Sequence, residues 1–282
     1  MTVVSAVNPC TLDGDLIHAS WRNSDMRLTI TMKLHALFAI LFWFAVPSSL
    51  AKIKDQVNLQ WSICDSSPQI VLQKLGKEGG DPNKLDPITY YDTKPPVYTP
   101  QGLMFRTKTR AGQEISMVKV RYAEETSNIP HRVVCLWDRY GDNAAYVCKK
   151  QAPVDGTRIW SDEQVRFAEH FWSNIVWDEL VAFGPYPNPK WKWLKIKGYK
   201  AAFDDVAARS LHLMELEVKV PKSKGDLAYQ TITKHLRKCS VVLCDHQESK
   251  TMRLFRAMGY SPVNNETLCS SRYANFARWP TV

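Results

Sequence analysis

No stretch of this 282-residue chain reaches the roughly 18 consecutive apolar residues that a membrane-spanning helix requires. The longest unbroken apolar run, Ala36 to Val46, would rise only about 16 Å as a helix, against a hydrocarbon core of about 30 Å. Glycine is scarce, 12 residues beside 16 prolines, which excludes collagen-like and glycine-rich low-complexity chains. There is no internal repeat. No C-x-x-C pair or Cys/His cluster with ligand spacing occurs, which argues against a zinc site. His131, His170, His212, His235 and His246 are dispersed, and none sits with a Ser or Cys in a nucleophile motif, so no catalytic triad is expected. No nucleic-acid-binding motif accompanies the pI of about 9.1.

What the chain does contain is a foldable core, with 45% hydrophobic and 11% aromatic residues, and a formal charge of +9. That apolar fraction excludes intrinsic disorder. The total charge does not say whether the surplus is dispersed or aimed at one place.

Met32-Lys33-Leu34-His35, the Ala36–Val46 run and Pro47-Ser48-Ser49-Leu50-Ala51 form a positive n-region, an h-region and a small-residue cleavage site. This reads as a secretory signal over 32–51 that leads the product outside the cell. Residues 1–31 are an upstream extension atypical of signal peptides, and Met26 or Met32 is an alternative start. The mature chain is then 52–282, read as one domain with no membrane span. The leader carries three basic residues (Arg22, Arg27, Lys33) and three acidic ones (Asp13, Asp15, Asp25), so the mature chain is still +9. Loss of Cys10 leaves Cys64, Cys135, Cys148, Cys239, Cys244 and Cys269, which in an oxidising compartment suggests three disulfides among fifteen possible connectivities. Cys135 and Cys148 flank a turn-rich segment, so a bridge across one hairpin is expected. Asn265-Glu266-Thr267 is the mature chain's glycosylation sequon.

Val57, Leu59, Trp61 and Ile63 alternate with Asn58, Gln60 and Ser62, the pattern of a half-buried strand. Ser67-Pro68 opens a short helix to about Lys74, ended by Gly79-Gly80. Strands are expected near 87–93, 103–110, 114–122, 131–139, 144–150, 189–197, 199–204 and 211–220. Their close spacing favours antiparallel pairing. A capping box at Ser161–Gln164 opens a helix to about Leu180, and further helices are expected at 224–239 and 247–258, the last stopped by Gly259. The fold class is α+β, with a large antiparallel sheet. Trp191 and Trp193, two residues apart, are expected to share a face as core or sheet wall.

Alternate residues of a strand share a face. By that parity Arg106, Lys108 and Arg110 align, as do Lys119 and Arg121, Lys195 and Lys197, and Glu215, Glu217 and Lys219. Such stripes ordinarily solvate the outside of a sheet. Converging inside a barrel, they would instead make a cationic interior with one acidic edge. Guanidinium and ammonium groups there would donate to phosphate oxygens, while Glu215 and Glu217 held a divalent cation.

The runs Tyr90-Tyr91-Asp92-Thr93, Gly102-Leu103-Met104-Phe105-Arg106-Thr107-Lys108, Ile115-Ser116-Met117-Val118-Lys119 and Met214-Glu215-Leu216-Glu217-Val218-Lys219, with Ser249-Lys250 and Arg253, resemble in order the CYTH superfamily of triphosphate tunnel proteins. The resemblance implies a sheet closed into an eight-stranded tunnel, a triphosphate or other phosphorylated ligand, and Mg²⁺ or Mn²⁺ for hydrolysis or cyclisation. It makes Arg106, Lys108, Lys119 and Arg121 phosphate contacts and Glu215 and Glu217 the metal edge; Lys195, Lys197 and Lys219 join the ligand-binding set. One departure weighs against catalysis. The family's first-strand E-x-E-x-K signature is replaced by Asn58, Gln60 and Ser62, and the 131–139 strand offers only Asp138. The expectation is a secreted protein that binds a phosphorylated or polyanionic small molecule with catalysis reduced or lost. The alternatives are an extracellular metal-dependent phosphohydrolase and a protein-interaction module on the same fold.

Overall fold

The alternating segment around Trp61 lies in the first strand of a 12-stranded sheet. The computed structural model describes residues 52–77, 80–130, 132–260 and 277–278; the leader, Asn265 and Cys269 lie outside them. In chain order the elements are β1 (Lys52–Ile63), α1 (Pro68–Lys74), β2 (Lys84–Leu85), β3 (Ile88–Asp92), β4 (Leu103–Arg110), β5 (Gln113–Tyr122), β6 (Val134–Tyr140) and β7 (Asn143–Pro153). There follow α2 (Asp162–Phe171), β8 (Val181–Tyr186), β9 (Pro189–Ile196), β10 (Tyr199–Ala208), β11 (Leu211–Pro221), α3 (Gly225–Lys238), α4 (Lys250–Ala257) and β12 (Ala277–Arg278). Among the described residues no helix is long and apolar enough to cross a membrane.

The strand order is β2-β9-β10-β11-β1-β6-β7-β5-β4-β3-β8, with β12 beside β7. Every ladder is antiparallel except β1–β6, which is parallel. The predicted closure into a barrel by strand pairing is not made, because the order runs open from β2 to β8. Two devices span the margins instead. The chain passes from β8 to β9 through Pro187 and Asn188, and the Pro187 carbonyl accepts from the Ala207 amide of β10 at 3.0 Å. Pro185, Pro187 and Pro189 have no amide to donate, which removes ladder hydrogen bonds at this crossing. Beside this crossing α4 inserts Leu254 and Phe255, buried among Ile88, Tyr90 and Phe183 on one margin and Val206 and Leu213 on the other. Each such side chain contributes about 1.5–3 kcal/mol on burial, so apolar contact takes the place of a missing ladder.

Helices cover the outer face. The Trp61 indole stacks on Tyr229 of α3 at 4.8 Å and donates to Thr233 Oγ1 at 2.8 Å. The α2 capping box forms as expected, and its buried Gln164 accepts from Ser116 Oγ of β5 at 2.9 Å. The helix stops at Phe171 rather than near Leu180, since Trp172 adopts extended angles. The residues after it lead into β8, an edge strand the alternation pattern did not reveal. Gly184 of β8 has φ +125°, and a Cβ there would lie 2.9 Å from the Ile88 carbonyl oxygen; only glycine permits that approach.

Cys135 and Cys148 face each other across the β6–β7 hairpin and are bonded, as the spacing suggested. Cys64 is bonded to Cys244, which ties the end of β1 to the segment leading into α4. Cys239 is also disulfide-bonded.

Candidate functional site

On β1 alternation alone suggested a half-buried strand, whereas the family resemblance put Asn58, Gln60 and Ser62 on the inward face. That face is not solvated: Asn58, Gln60 and Ser62 are 5%, 3% and 0% exposed, as deeply buried as Val57 and Leu59 behind them. A polar strand face can be buried this way only where other polar groups meet it. The sheet curls so that this face closes on a cavity of about 230 Å³.

Cross-strand register sets the order of its charges. Asn58 lies between Lys219 of β11 and Asp138 of β6, Gln60 between Glu217 and Tyr140, and Ser62 beside Glu215. Glu215 in turn faces Asp204 of β10, and Lys119 of β5 faces Lys149 of β7. Arg106, Lys108, Lys119, Arg121, Lys149, Lys190, Lys219 and Lys250 line the cavity, with Asp86, Asp138, Asp204, Glu215 and Glu217. Eight cations against five carboxylates leave the lining at +3.

That excess is not evenly matched. Lys250 Nζ lies 2.5 Å from Asp204 Oδ1 and 3.4 Å from Glu215 Oε1, and Lys190 lies 3.6 Å from Asp204 Oδ2. Lys219 lies 2.5 Å from Glu217 Oε1, and Lys119 2.7 Å from Asp138 Oδ2. Asn58 Nδ2 donates to the other Asp138 oxygen at 3.1 Å, a bond no carboxylate at position 58 could make. Arg106, Lys108 and Lys149 have no such partner among the described residues, and Arg121 donates to the Tyr140 hydroxyl.

The environment acts on these groups in opposite directions. Burial, with repulsion from Arg106 and Lys190, brings Lys108 down to about 8. Burial brings Lys119 to about 8 as well, because Arg121 and Arg106 add to it and Asp138 only partly offsets them. Burial followed by Lys219 lowers Lys149. On the other side burial disfavours charge on Lys250, yet Asp204 and Glu215 outweigh it and hold the ammonium above the ordinary lysine range. Burial raises the Glu215 carboxyl, with Lys250 opposing. Glu217 is pulled against its burial to about 2 by Lys219, Lys190 and Lys250.

Seven buried side-chain polar atoms among the described residues lack a hydrogen-bond partner, and five belong to cavity residues: Asn58 Oδ1, Arg106 Nε, Arg121 Nε, Asn188 Oδ1 and Ser249 Oγ. Unpartnered buried polar groups, donors and acceptors alike, are costly. Their concentration here marks a place built to receive polar atoms.

Of the predicted ligand-binding residues, Arg106, Lys108, Lys119, Arg121 and Lys219 are brought together, and Glu215 and Glu217 lie on the same lining. Arg110 stands at the mouth beside Lys84, Lys192 and Lys200. Lys195 and Lys197 are not on the lining and are exposed. The register between β9 and β10 shifts between Ala201/Leu194 and Phe203/Trp191, with Trp193 at φ +64°. A bulge adds a residue and turns later side chains to the other face. Lys190, opposite Asp204, and Lys195, opposite Lys200, thereby come to one face, but Lys195 lies past the end of the cavity and Lys190 is the cation of β9 that lines it. The same bulge separates the paired indoles: Trp191 is buried on Phe203, whereas Trp193 is 74% exposed.

Lys149, Lys190 and Asp204 escaped the sequence reading. Lys149 was legible by parity, facing Lys119 across the ladder; Lys190 was not. Asp92 of the Tyr-Tyr-Asp-Thr run has a structural role, its carboxylate accepting from the amides of Thr93, Val97, Tyr98 and Thr99 at 2.8–3.0 Å.

The donor set suits Mg²⁺ or Mn²⁺ poorly. A hard cation wants six or more oxygens, and among the described residues no three His, Cys, Asp or Glu side chains are grouped as metal ligands. Glu215 and Glu217 are each engaged by a lysine.

No family model and no curated protein matches the chain. Solved structures resemble it at low identity. One is a Hippeastrum protein described as an adenylyl cyclase candidate with dominant triphosphatase activity, 14% identical, with a TM-score of 0.46 over 71% of this chain and 95% of that one. An adenylate cyclase candidate from Bacillus halodurans is 13% identical, with a TM-score of 0.47 over 72% of this chain and 100% of that one. A Pyrococcus horikoshii protein is 13% identical, with a TM-score of 0.39 over 73% and 99%.

Proposed function

We propose that the cavity of the curled sheet is a tunnel-like binding site for a phosphorylated or otherwise polyanionic small molecule, and that catalysis is reduced or lost. The observation that carries this is the pair of buried guanidinium Nε atoms, on Arg106 and Arg121, with no partner, beside Lys108 and Lys149. Charge-assisted hydrogen bonds to phosphate contribute about 1.5–3 kcal/mol each, enough to offset the cost of leaving these donors unpaired in the free protein. Loss of catalysis follows from the lysine-engaged carboxylates and from amides standing on β1 where acids would be needed. The signal-like segment ahead of Lys52 and the disulfides support secretion to an oxidising compartment, with Asn265 as a glycosylation site.

The test is to incubate the purified protein with tripolyphosphate, with and without Mg²⁺ or Mn²⁺, measuring thermal shift and phosphate release together. The expected result is stabilisation without release. Release that disappears in Glu217→Gln would replace this reading with the phosphohydrolase. Absence of both signals, unchanged in Arg106→Ala with Lys119→Ala, would leave the interaction module.

A further inference from the structure

The acidic side of the cavity already has a cation, and it belongs to the protein. Lys250 sits at the first position of α4, its side chain 13% exposed, with Nζ 2.5 Å from Asp204 and 3.4 Å from Glu215. Its position is over-determined. Thr251 donates to Met104 Sδ at 3.0 Å, Arg253 donates to the Met214 carbonyl at 3.1 Å, and Leu254 and Phe255 fill the second apolar cluster. The approach to α4 is tied to β1 by the Cys64–Cys244 disulfide and by Gln247, which bonds the Ser62 backbone at 2.8 Å and 3.0 Å. Asp204 is a ligand of Lys190 as well, and Glu217 is taken by Lys219. A divalent ion could approach Asp204 and Glu215 only by displacing a buried ammonium carried on a helix anchored at several points.

We infer that Lys250 is a resident counter-cation standing where a divalent metal would otherwise bridge protein and ligand, so that the site takes phosphorylated anions in their metal-free form. This rests on the cavity's being a phosphate site, and it adds which chemical species is bound. A metal chelate brings its own positive charge and its water shell, both of which the cationic side at Arg106, Lys108, Arg121 and Lys149 disfavours. Mg²⁺ should therefore compete for the ligand rather than assist its binding.

The deciding measurement is calorimetric titration of the wild-type protein with tripolyphosphate, once in EDTA and once in excess Mg²⁺, with Mn²⁺ alone as a separate probe. Binding in EDTA that weakens about tenfold in Mg²⁺, the loss of roughly one charge-assisted contact, together with no thermal shift from Mn²⁺ alone, is the expected result. Binding only in Mg²⁺, or a stabilising shift from Mn²⁺ alone, overturns the inference and leaves the phosphate site standing. No binding in either buffer overturns both. In Lys250→Gln the freed carboxylates should reverse the sign of the Mg²⁺ effect. A folded variant whose affinity still falls with Mg²⁺ refutes the role given to Lys250, and the wild-type titration decides the matter should the variant not fold.

Discussion

The side of the cavity built by β10, β11 and α4 and the side built by β4, β5 and β7 each contribute five ionisable groups, yet they stand in different electrostatic states. On the first, Asp204, Glu215 and Glu217 are matched by Lys219 and Lys250, with Lys190 of β9 close by. On the second, Arg106, Lys108, Lys119, Arg121 and Lys149 share one carboxylate, Asp138. Oppositely charged groups placed side by side satisfy one another, whereas like charges crowded out of water await an external partner. One side is finished by folding and the other by ligand. Substitutions should therefore separate them, costing stability on the first and affinity on the second.

The largest effect is expected from Lys250→Met, which leaves Asp204 and Glu215 buried without their ammonium. Breaking a buried pair by removing one partner costs about 3–5 kcal/mol. Glu215, already raised by burial, would take up a proton and hold the loss toward the lower figure. Urea denaturation at neutral pH measures it; a loss below about 1 kcal/mol would mean that the acidic side is not held by Lys250.

Arg106→Met should do the reverse. Its Nε has no partner to lose, so the folded state should be as stable as wild type or more so. Affinity for tripolyphosphate should fall by about 2 kcal/mol, roughly thirtyfold in Kd. A variant that lost stability instead would erase the contrast between the two sides.

How much of that contrast could be read in the sequence depended on whether the strands kept their period. On β4, β5 and β11 alternation is unbroken, so parity grouped Arg106, Lys108, Lys119, Arg121, Glu215, Glu217 and Lys219 strand by strand, and only the family resemblance turned those faces toward one lining. On β9 the extra residue at the bulge brings Lys195 to the face of Lys190, and position along the strand rather than parity makes Lys190 the lining residue. The helix starts were legible at Ser67 and Ser161 because capping is local chemistry. The stop at Phe171 and the edge strand β8 were not, since both depend on how distant margins of the sheet meet. The buried polar face of β1 was beyond any local rule: Asn58, Gln60 and Ser62 have the alternation of a wetted surface and become interior only because the sheet curls. The partners of the charges were equally hidden, since Lys250 and Asp204 are 46 residues apart.

A pH titration should sharpen the comparison with a smaller effect of opposite sign on stability and affinity. Lys108 and Lys119 stand at about 8 in the free protein, below the unfolded lysine value of about 10.4. Between those values the unfolded chain binds more protons than the folded one, so these two groups make the free protein more stable as the pH rises through that window. A bound polyanion favours the ammonium form of both groups, so affinity should fall as the pH passes about 8, by about tenfold between 7.5 and 9.5. Glu217 works at the other end. Its folded value of about 2 lies below the unfolded carboxyl, so its contribution is complete above about pH 4.3 and disappears as the pH falls toward 2. Calorimetric affinity and thermal stability measured across the same buffers should cross. Parallel curves would show that the basic side is not under repulsion.

The smallest effect should come from Lys195→Ala, set against Lys190→Ala on the same strand. Lys195 lies opposite Lys200 in the β9–β10 ladder, and both are exposed. Removing one of two facing like charges should leave stability within about 0.5 kcal/mol or improve it slightly. Affinity for tripolyphosphate should stay within about twofold, because an exposed charge beyond the bulge acts on the cavity only through screened solvent. Lys190 touches Asp204 inside the cavity, and its loss should lower affinity measurably in the same titration, since Asp204 would then draw more of Lys250's charge away from the ligand. Equal losses from the two variants would mean that affinity follows the total charge of the strand. Unequal losses would mean that it follows distance from the cavity, since Lys195 shares the face of Lys190 and lies past the end of the lining.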